Sequence, residues 1–143
     1  MNNDALIIES QLCFPLYAAS RQITSKYTPL LQELDLTYTQ YIVMMVLWEE
    51  KETSVKDLGQ KLYLDSGTLT PLLKRLERKR YLIRSRSDTD ERVVIVSLTE
   101  KGEKLKQSAL HIPERMAQCI NLSTDEAKTL YQILYKILET ENT

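Results

Sequence analysis

Apolar residues recur every three or four positions along most of this chain, and two short stretches alternate instead. From about Asp4 to Leu34, Leu12, Leu16, Ala19, Ile23, Tyr27, Leu30 and Leu34 share one helical stripe. Seven apolar positions in one stripe predict a long helix with a seam against another helix. Pro15 disfavours α geometry at Phe14, so a break or kink is expected beside Cys13, and Pro29 adds a second bend or marks a short separate helix. After Asp35-Leu36-Thr37 a second helix is predicted to about Glu49, with Tyr41, Met44, Met45, Leu47 and Trp48 mostly core. Thr53 or Ser54 can cap a third, VKDLGQKL, whose Val55, Leu58 and Leu62 face inward.

The stretch that organises the rest is LDSGTLTPLLKRLERKR, Leu64 to Arg80. Leu69, Leu72, Leu73 and Leu76 give it an apolar back. Ser66, Thr68, Thr70, Lys74, Arg75 and Arg78 give it a polar front, hydroxyls first and cations later. Small hydroxyls at a helix start can approach base edges while cations hold phosphates, which reads as a DNA recognition helix. A surface helix with merely solvated cations is the plain alternative. Asp65 as N-cap puts Pro71 in the second turn, where it removes a backbone bond; Thr70 as N-cap puts it at the first helical position. Both starts are open.

Tyr81–Arg86 and Val93–Leu98 alternate around a charged turn, SDTDER, and predict a β-hairpin. Arg84 and Arg86 on one arm and Arg92 near the tip can reach a minor groove; an inert hairpin is the alternative. Two short helices, a polar-fronted helix and a hairpin make a winged helix-turn-helix. Thr99 is expected to cap a helix to about Ile112, with a break at Pro113 and a further helical piece through Cys119. Ser123 caps a last helix striped by Ala127, Leu130, Ile133, Leu134, Ile137 and Leu138. The expected fold is mainly α with a small β-hairpin wing. It forms a single domain in which residues 36–98 bind DNA while residues 1–34 and 100–143 pair two copies into a dimer.

Composition sharpens this picture. The 143 residues carry a formal net charge of -1, yet residues 66–86 hold seven cations against Glu77 alone. An acidic body with one basic strip suits specific docking to nucleic acid better than general stickiness. Neither a leader nor an apolar run near 18 residues stands out, so a cytoplasmic, soluble protein is expected. Cys13 and Cys119 lie too far apart to suggest a disulfide scaffold; with no CxxC pair and His111 as the single histidine, no metal site is expected. Without a P-loop or GxGxxG, no cofactor is expected either.

The helix order, the wing and Asp90-Glu91-Arg92 resemble the MarR family of dimeric bacterial regulators. QLCFPLYAASRQITSKY, LTYTQY, LYLDSGTLTPLLKRLE and DERVVIVSLTEKG, spread over residues 11–102, resemble its organic hydroperoxide sensors. The resemblance implies a helix from Asp65 to Lys79 in the major groove of a pseudo-palindromic operator, contacting through Ser66, Thr68, Thr70, Lys74 and Arg75. It implies Arg92 in the minor groove, oriented by Asp90. It makes Cys13 the peroxide-reactive thiol, hydrogen-bonded by Tyr27 and Tyr38 of the other subunit, with Tyr17 close by. Pro15 departs from the family pattern beside that thiol.

A thiol reacts as its thiolate, and no Lys, Arg or His lies within three residues of Cys13, so support must come from hydroxyls or a helix end. Leu12, Phe14 and Leu16 would favour organic peroxides. Oxidation gives a sulfenic acid, which condenses with another thiol: Cys119 of the partner, as some relatives do, or a small cellular thiol. The leading reading is a homodimeric repressor released by organic hydroperoxide. One rival keeps the fold but makes a small phenolic ligand the signal, with Cys13 a bystander. Another is a thiol peroxidase enzyme, which the basic strip and the missing cation near Cys13 argue against.

Overall fold

The computed structural model describes residues 3–139. Seven α-helices and a three-stranded antiparallel sheet run in the order α1 Cys13–Gln32, α2 Tyr38–Glu50, β1 Glu52–Ser54, α3 Val55–Leu62, α4 Ser66–Arg78, β2 Leu82–Arg86, β3 Val94–Leu98, α5 Glu100–Ala109, α6 Ile112–Cys119 and α7 Thr124–Glu139. Two short 3-10 turns, Asn3–Leu6 and Ile8–Ser10, precede α1. The sheet order is β1-β3-β2, with Leu82 opposite Leu98 and Glu52 opposite Ser97. The hairpin falls where alternation places it; β1, too short to alternate visibly, is a third strand that the sequence did not announce.

Pro15 does not kink a long helix. It stands in the first turn of α1, where its missing N–H would have no partner anyway. The helix therefore begins at Cys13 rather than near Asp4, and Gln11 Nε2 ties the preceding turns together by donating to the carbonyls of Ala5 at 2.6 Å and Ile7 at 3.1 Å. Pro29 lies inside α1 without ending it. In the same way Pro113 opens α6 instead of breaking α5, which stops earlier, at Ala109.

Caps set the other boundaries. Thr37 and Gln40 form a reciprocal capping box on α2, Ser54 rather than Thr53 accepts from Asp57 N–H on α3, and Thr99 accepts from Gly102 N–H on α5. Met44, Leu47, Leu58, Leu69, Leu73, Leu76, Leu82 and Ile112 form the core, all but sealed from solvent. Met45, expected inside, is 44% exposed. The ends of the chain behave differently. No residue of α7 is buried, and Leu12, Phe14, Leu16, Tyr131, Ile133 and Ile137 stand exposed.

Candidate nucleic-acid interface and thiol site

Asp65 decides where α4 starts. Its carboxylate accepts from Thr68 N–H at 2.7 Å, so the helix begins at Ser66 and carries Pro71 in its second turn. The carbonyl that Pro71 leaves unpartnered is that of Gly67, which is exposed, so water can take the lost bond. Burying Leu69 adds roughly 2 kcal/mol and the cap about 1 kcal/mol, enough to outweigh the later start. Thr68 N–H also holds the Asp65 carboxyl below the usual range.

Gly59 lets α3 approach α4. A Cβ there would sit 2.7 Å from the Leu64 carbonyl oxygen and 3.2 Å from Leu69 Cδ1. The turn between the helices runs through Tyr63 in the left-handed region, at φ 56°. So held, α4 buries Leu69, Leu72, Leu73 and Leu76 and exposes Ser66, Thr68, Lys74, Arg75 and Arg78. Thr70 is half-buried and its hydroxyl donates to the Ser66 carbonyl at 2.8 Å.

The wing cations are not equivalent. Arg92 is 91% exposed, and Asp90 grips it through Nε at 3.1 Å and a terminal nitrogen at 3.3 Å. That grip also lowers the Asp90 carboxyl. Arg86 donates to the Glu91 carbonyl at 3.0 Å. Arg84 is turned inward: its guanidinium pairs with Glu77 of α4 at 3.1 Å and its backbone N–H donates to the same carboxylate at 2.8 Å. Arg84 therefore joins β2 to α4 and is not among the cations facing outward, contrary to its reading as a DNA contact.

This joint has a pH signature. The Arg84 N–H and guanidinium hold the Glu77 carboxyl below its ordinary value. A depressed folded value means stabilisation present above the unfolded carboxylate pKa, about 4.3, and lost as pH falls through the folded one. Urea melts should show wild type ahead of Glu77→Gln at pH 7, with the gap closing below about pH 4. A gap constant down to pH 3 would refute the assignment.

Cys13 is exposed at the first position of α1, where the backbone N–H groups lack helical partners. Leu12 and Phe14 flank it in sequence and Leu16 and Tyr17 follow one helical turn on, all exposed. Arg21 lies 5.5 Å over the Tyr17 ring, with a nitrogen 3.5 Å from its hydroxyl. The sequence reading missed this cation one turn beyond Tyr17, although its i, i+4 spacing was legible.

The Tyr27 and Tyr38 rings pack in a tilted arrangement with centroids 4.9 Å apart, with buried Tyr41 at 5.8 and 6.4 Å from them. Burial raises the hydroxyl pKa of all three, that of Tyr41 to about 12, so they remain protonated donors. This cluster lies fourteen residues along α1 from Cys13, about 21 Å at helical rise. One chain does not bring them together. Cys119 ends α6 and is exposed, and its carbonyl accepts from Lys26 Nζ at 2.9 Å. Lys26 is also about 20 Å along α1 from Cys13, so a bond within one chain, which needs Cα atoms within about 7 Å, is out of reach.

A helix-turn-helix, an outward cationic face and a wing arginine held by an aspartate are the parts of a DNA-binding regulator. The SarA/Rot transcriptional regulator family matches residues 25–109. The chain is 48% identical over 137 residues, 96% of its length and 93% of the relative's, to the organic hydroperoxide resistance transcriptional regulator of Bacillus subtilis (strain 168). It is an OhrR-like regulator of the MarR type. Such proteins are regulators rather than enzymes. Among solved structures, overoxidized AbfR bound to DNA, 34% identical, superposes with a TM-score of 0.78 over 97% of this chain and 98% of that one. AbfR comes from Staphylococcus epidermidis. Its disulfide form, 35% identical, superposes with a TM-score of 0.63 over 92% and 90%. Among the described residues no cluster of His, Cys, Asp or Glu could hold a metal, and no helix is long and apolar enough to cross a membrane.

Proposed function

We propose that this regulator is a cytoplasmic homodimeric repressor that holds a pseudo-palindromic operator while Cys13 is reduced and releases it when organic hydroperoxide oxidises that thiol. The observation that carries this reading is an exposed cysteine at a helix start, with the exposed apolar residues Leu12, Phe14 and Leu16 beside it in sequence, in a chain that also presents a polar, cationic helix face. The name of the Bacillus relative points the same way. Residues 36–98 bind DNA: α4 enters the major groove with Ser66, Thr68, Lys74, Arg75 and Arg78 outward, and Arg92 enters the minor groove. Residues 1–34 and 100–143 form the dimer, which would cover the exposed apolar surface at both chain ends and bring Cys13 to Tyr27 and Tyr38 of the partner.

The thiolate attacks the outer peroxide oxygen; the O–O bond breaks, the alcohol leaves with a proton, and Cys13 becomes a sulfenic acid. Attack by a second thiol then forms a disulfide and releases water. Since Cys119 of the same chain is out of reach, that thiol comes from the partner's Cys119 or from a small cellular thiol.

The test is binding to the promoter beside its own gene, at fixed salt, before and after cumene hydroperoxide. Release on oxidation is the expected result, and a cross-linked dimer on non-reducing gels that Cys119→Ser abolishes would assign the second thiol to Cys119 of the partner. Unchanged binding after peroxide overturns the reading, and release by a small phenol instead would replace it. Salt adds a second check on the interface. Lys74→Ala should weaken operator and unrelated DNA alike and reduce the slope of log K against log salt by about 1.8, about 0.9 for each of the dimer's two copies. An unchanged slope would remove Lys74 from the phosphate contacts.

A further inference from the structure

The last turn of α4 is held from two sides, and the two sides lead to the two cysteines. Lys79, counted in the basic strip, does not face outward. Its Nζ donates to the Asp35 carbonyl at the α1–α2 corner, lies 3.5 Å from the Asp35 carboxylate and 3.4 Å from Gln40 Oε1. From the other side the start of α5 reaches the same turn. Lys101 Nζ donates to the Lys79 carbonyl at 2.9 Å, Thr99 Oγ1 to the Arg80 carbonyl at 2.6 Å, and Thr99 N–H to the Tyr81 carbonyl at 3.1 Å. Lys101 also lies 5.1 Å over the Tyr81 ring. Arg80 adopts φ 67°, a left-handed conformation that a non-glycine residue holds only when its surroundings enforce it. Arg80 N–H to the Glu77 carbonyl and Tyr81 N–H to the Leu76 carbonyl complete a Schellman end.

We infer that this turn, Lys79–Tyr81 with Thr99, Lys101 and Asp35, is the joint through which the sensing helices set the position of α4. Cys13 starts α1, which ends at the Asp35 corner; Cys119 ends α6, which follows α5. A shift of α1 or α5 therefore bears directly on the carbonyls that end the recognition helix. Lys79, Thr99 and Lys101 are positioning residues, not DNA contacts, and the inference rests on the peroxide reading above.

The measurement is the ratio of operator Kd after cumene hydroperoxide to Kd before it, for wild type, Lys79→Met, Lys101→Met, Thr99→Val and Thr99→Ser. A residue that merely stabilises the fold weakens both forms alike and leaves the ratio unchanged. A coupling residue changes the ratio, and losses of about 3- to 10-fold are expected for Lys79→Met, Lys101→Met and Thr99→Val, with Thr99→Ser keeping the wild-type ratio. Should Thr99→Val fail to fold, the lysine variants, which leave the α5 cap intact, carry the test. Wild-type release with an unchanged ratio in both lysine variants overturns the joint alone. Absence of release in wild type would instead defeat the peroxide reading.

Discussion

Cys13→Ser is expected to bind the operator like reduced wild type and to stay bound after cumene hydroperoxide. Serine is nearly the size of cysteine, and at the first position of α1 its hydroxyl can keep a hydrogen bond to the tyrosines of the partner, so little change in fold or pairing is expected. A serine hydroxyl does not reduce a peroxide. The change therefore removes the chemistry and leaves the fold. Wild type should lose affinity by about 5- to 150-fold on oxidation, the usual range of an allosteric coupling, and the variant by none. Cys119→Ser should still release DNA if a small thiol or the sulfenic acid suffices, and should stay bound if the disulfide is required. Release in Cys13→Ser equal to wild type would place the sensor elsewhere.

The second large effect belongs to Gly102. Alanine in a helix normally stabilises by about 1 kcal/mol relative to glycine. Here the added Cβ would overlap the Tyr81 carbonyl oxygen and sit 2.7 Å from Leu98 Cδ1. The Tyr81 carbonyl cannot withdraw easily, because it is backbone and accepts from Thr99 N–H. The Gly102 carbonyl is fixed too, accepting from buried Trp48 Nε1 at 2.8 Å. Gly102→Ala should therefore destabilise by about 2–3 kcal/mol, read in urea melts. Gly67→Ala is the control. Its Cβ would meet only Asp65 Oδ1 at 3.3 Å, so it should be neutral or slightly stabilising. If both alanines behave alike, α5 does not pack against the wing root as closely as the structure has it.

Local chemistry and tertiary contact divide the molecule unevenly. The Leu69–Leu76 stripe, the alternation of the two long strands and the Thr99 and Ser123 caps are local patterns, and each became the element it announced. The prolines were harder to read. Pro15 and Pro113 mark helix starts while Pro71 sits inside a helix, because whether a lost N–H matters depends on which residue caps and what the next turn buries. The sequence reading placed Arg84 among the DNA contacts of the wing and counted Lys79 in the basic strip. Only the fold brings Glu77 to one and the α1–α2 corner to the other, 44 residues from Asp35 to Lys79.

From the residues alone came the fold class and the polar, cationic front of α4, while the role given to Cys13 came from the family resemblance and belongs to the proposal. The fold class and that front depend on period, capping and side-chain chemistry within a few turns. Tertiary structure decided where α1 and α4 begin, which basic side chains face outward, and that Cys13 lies a helix-length from Tyr27 and Cys119. Those answers rest on contacts between residues distant in sequence, whose pairing is fixed only when the core between them closes.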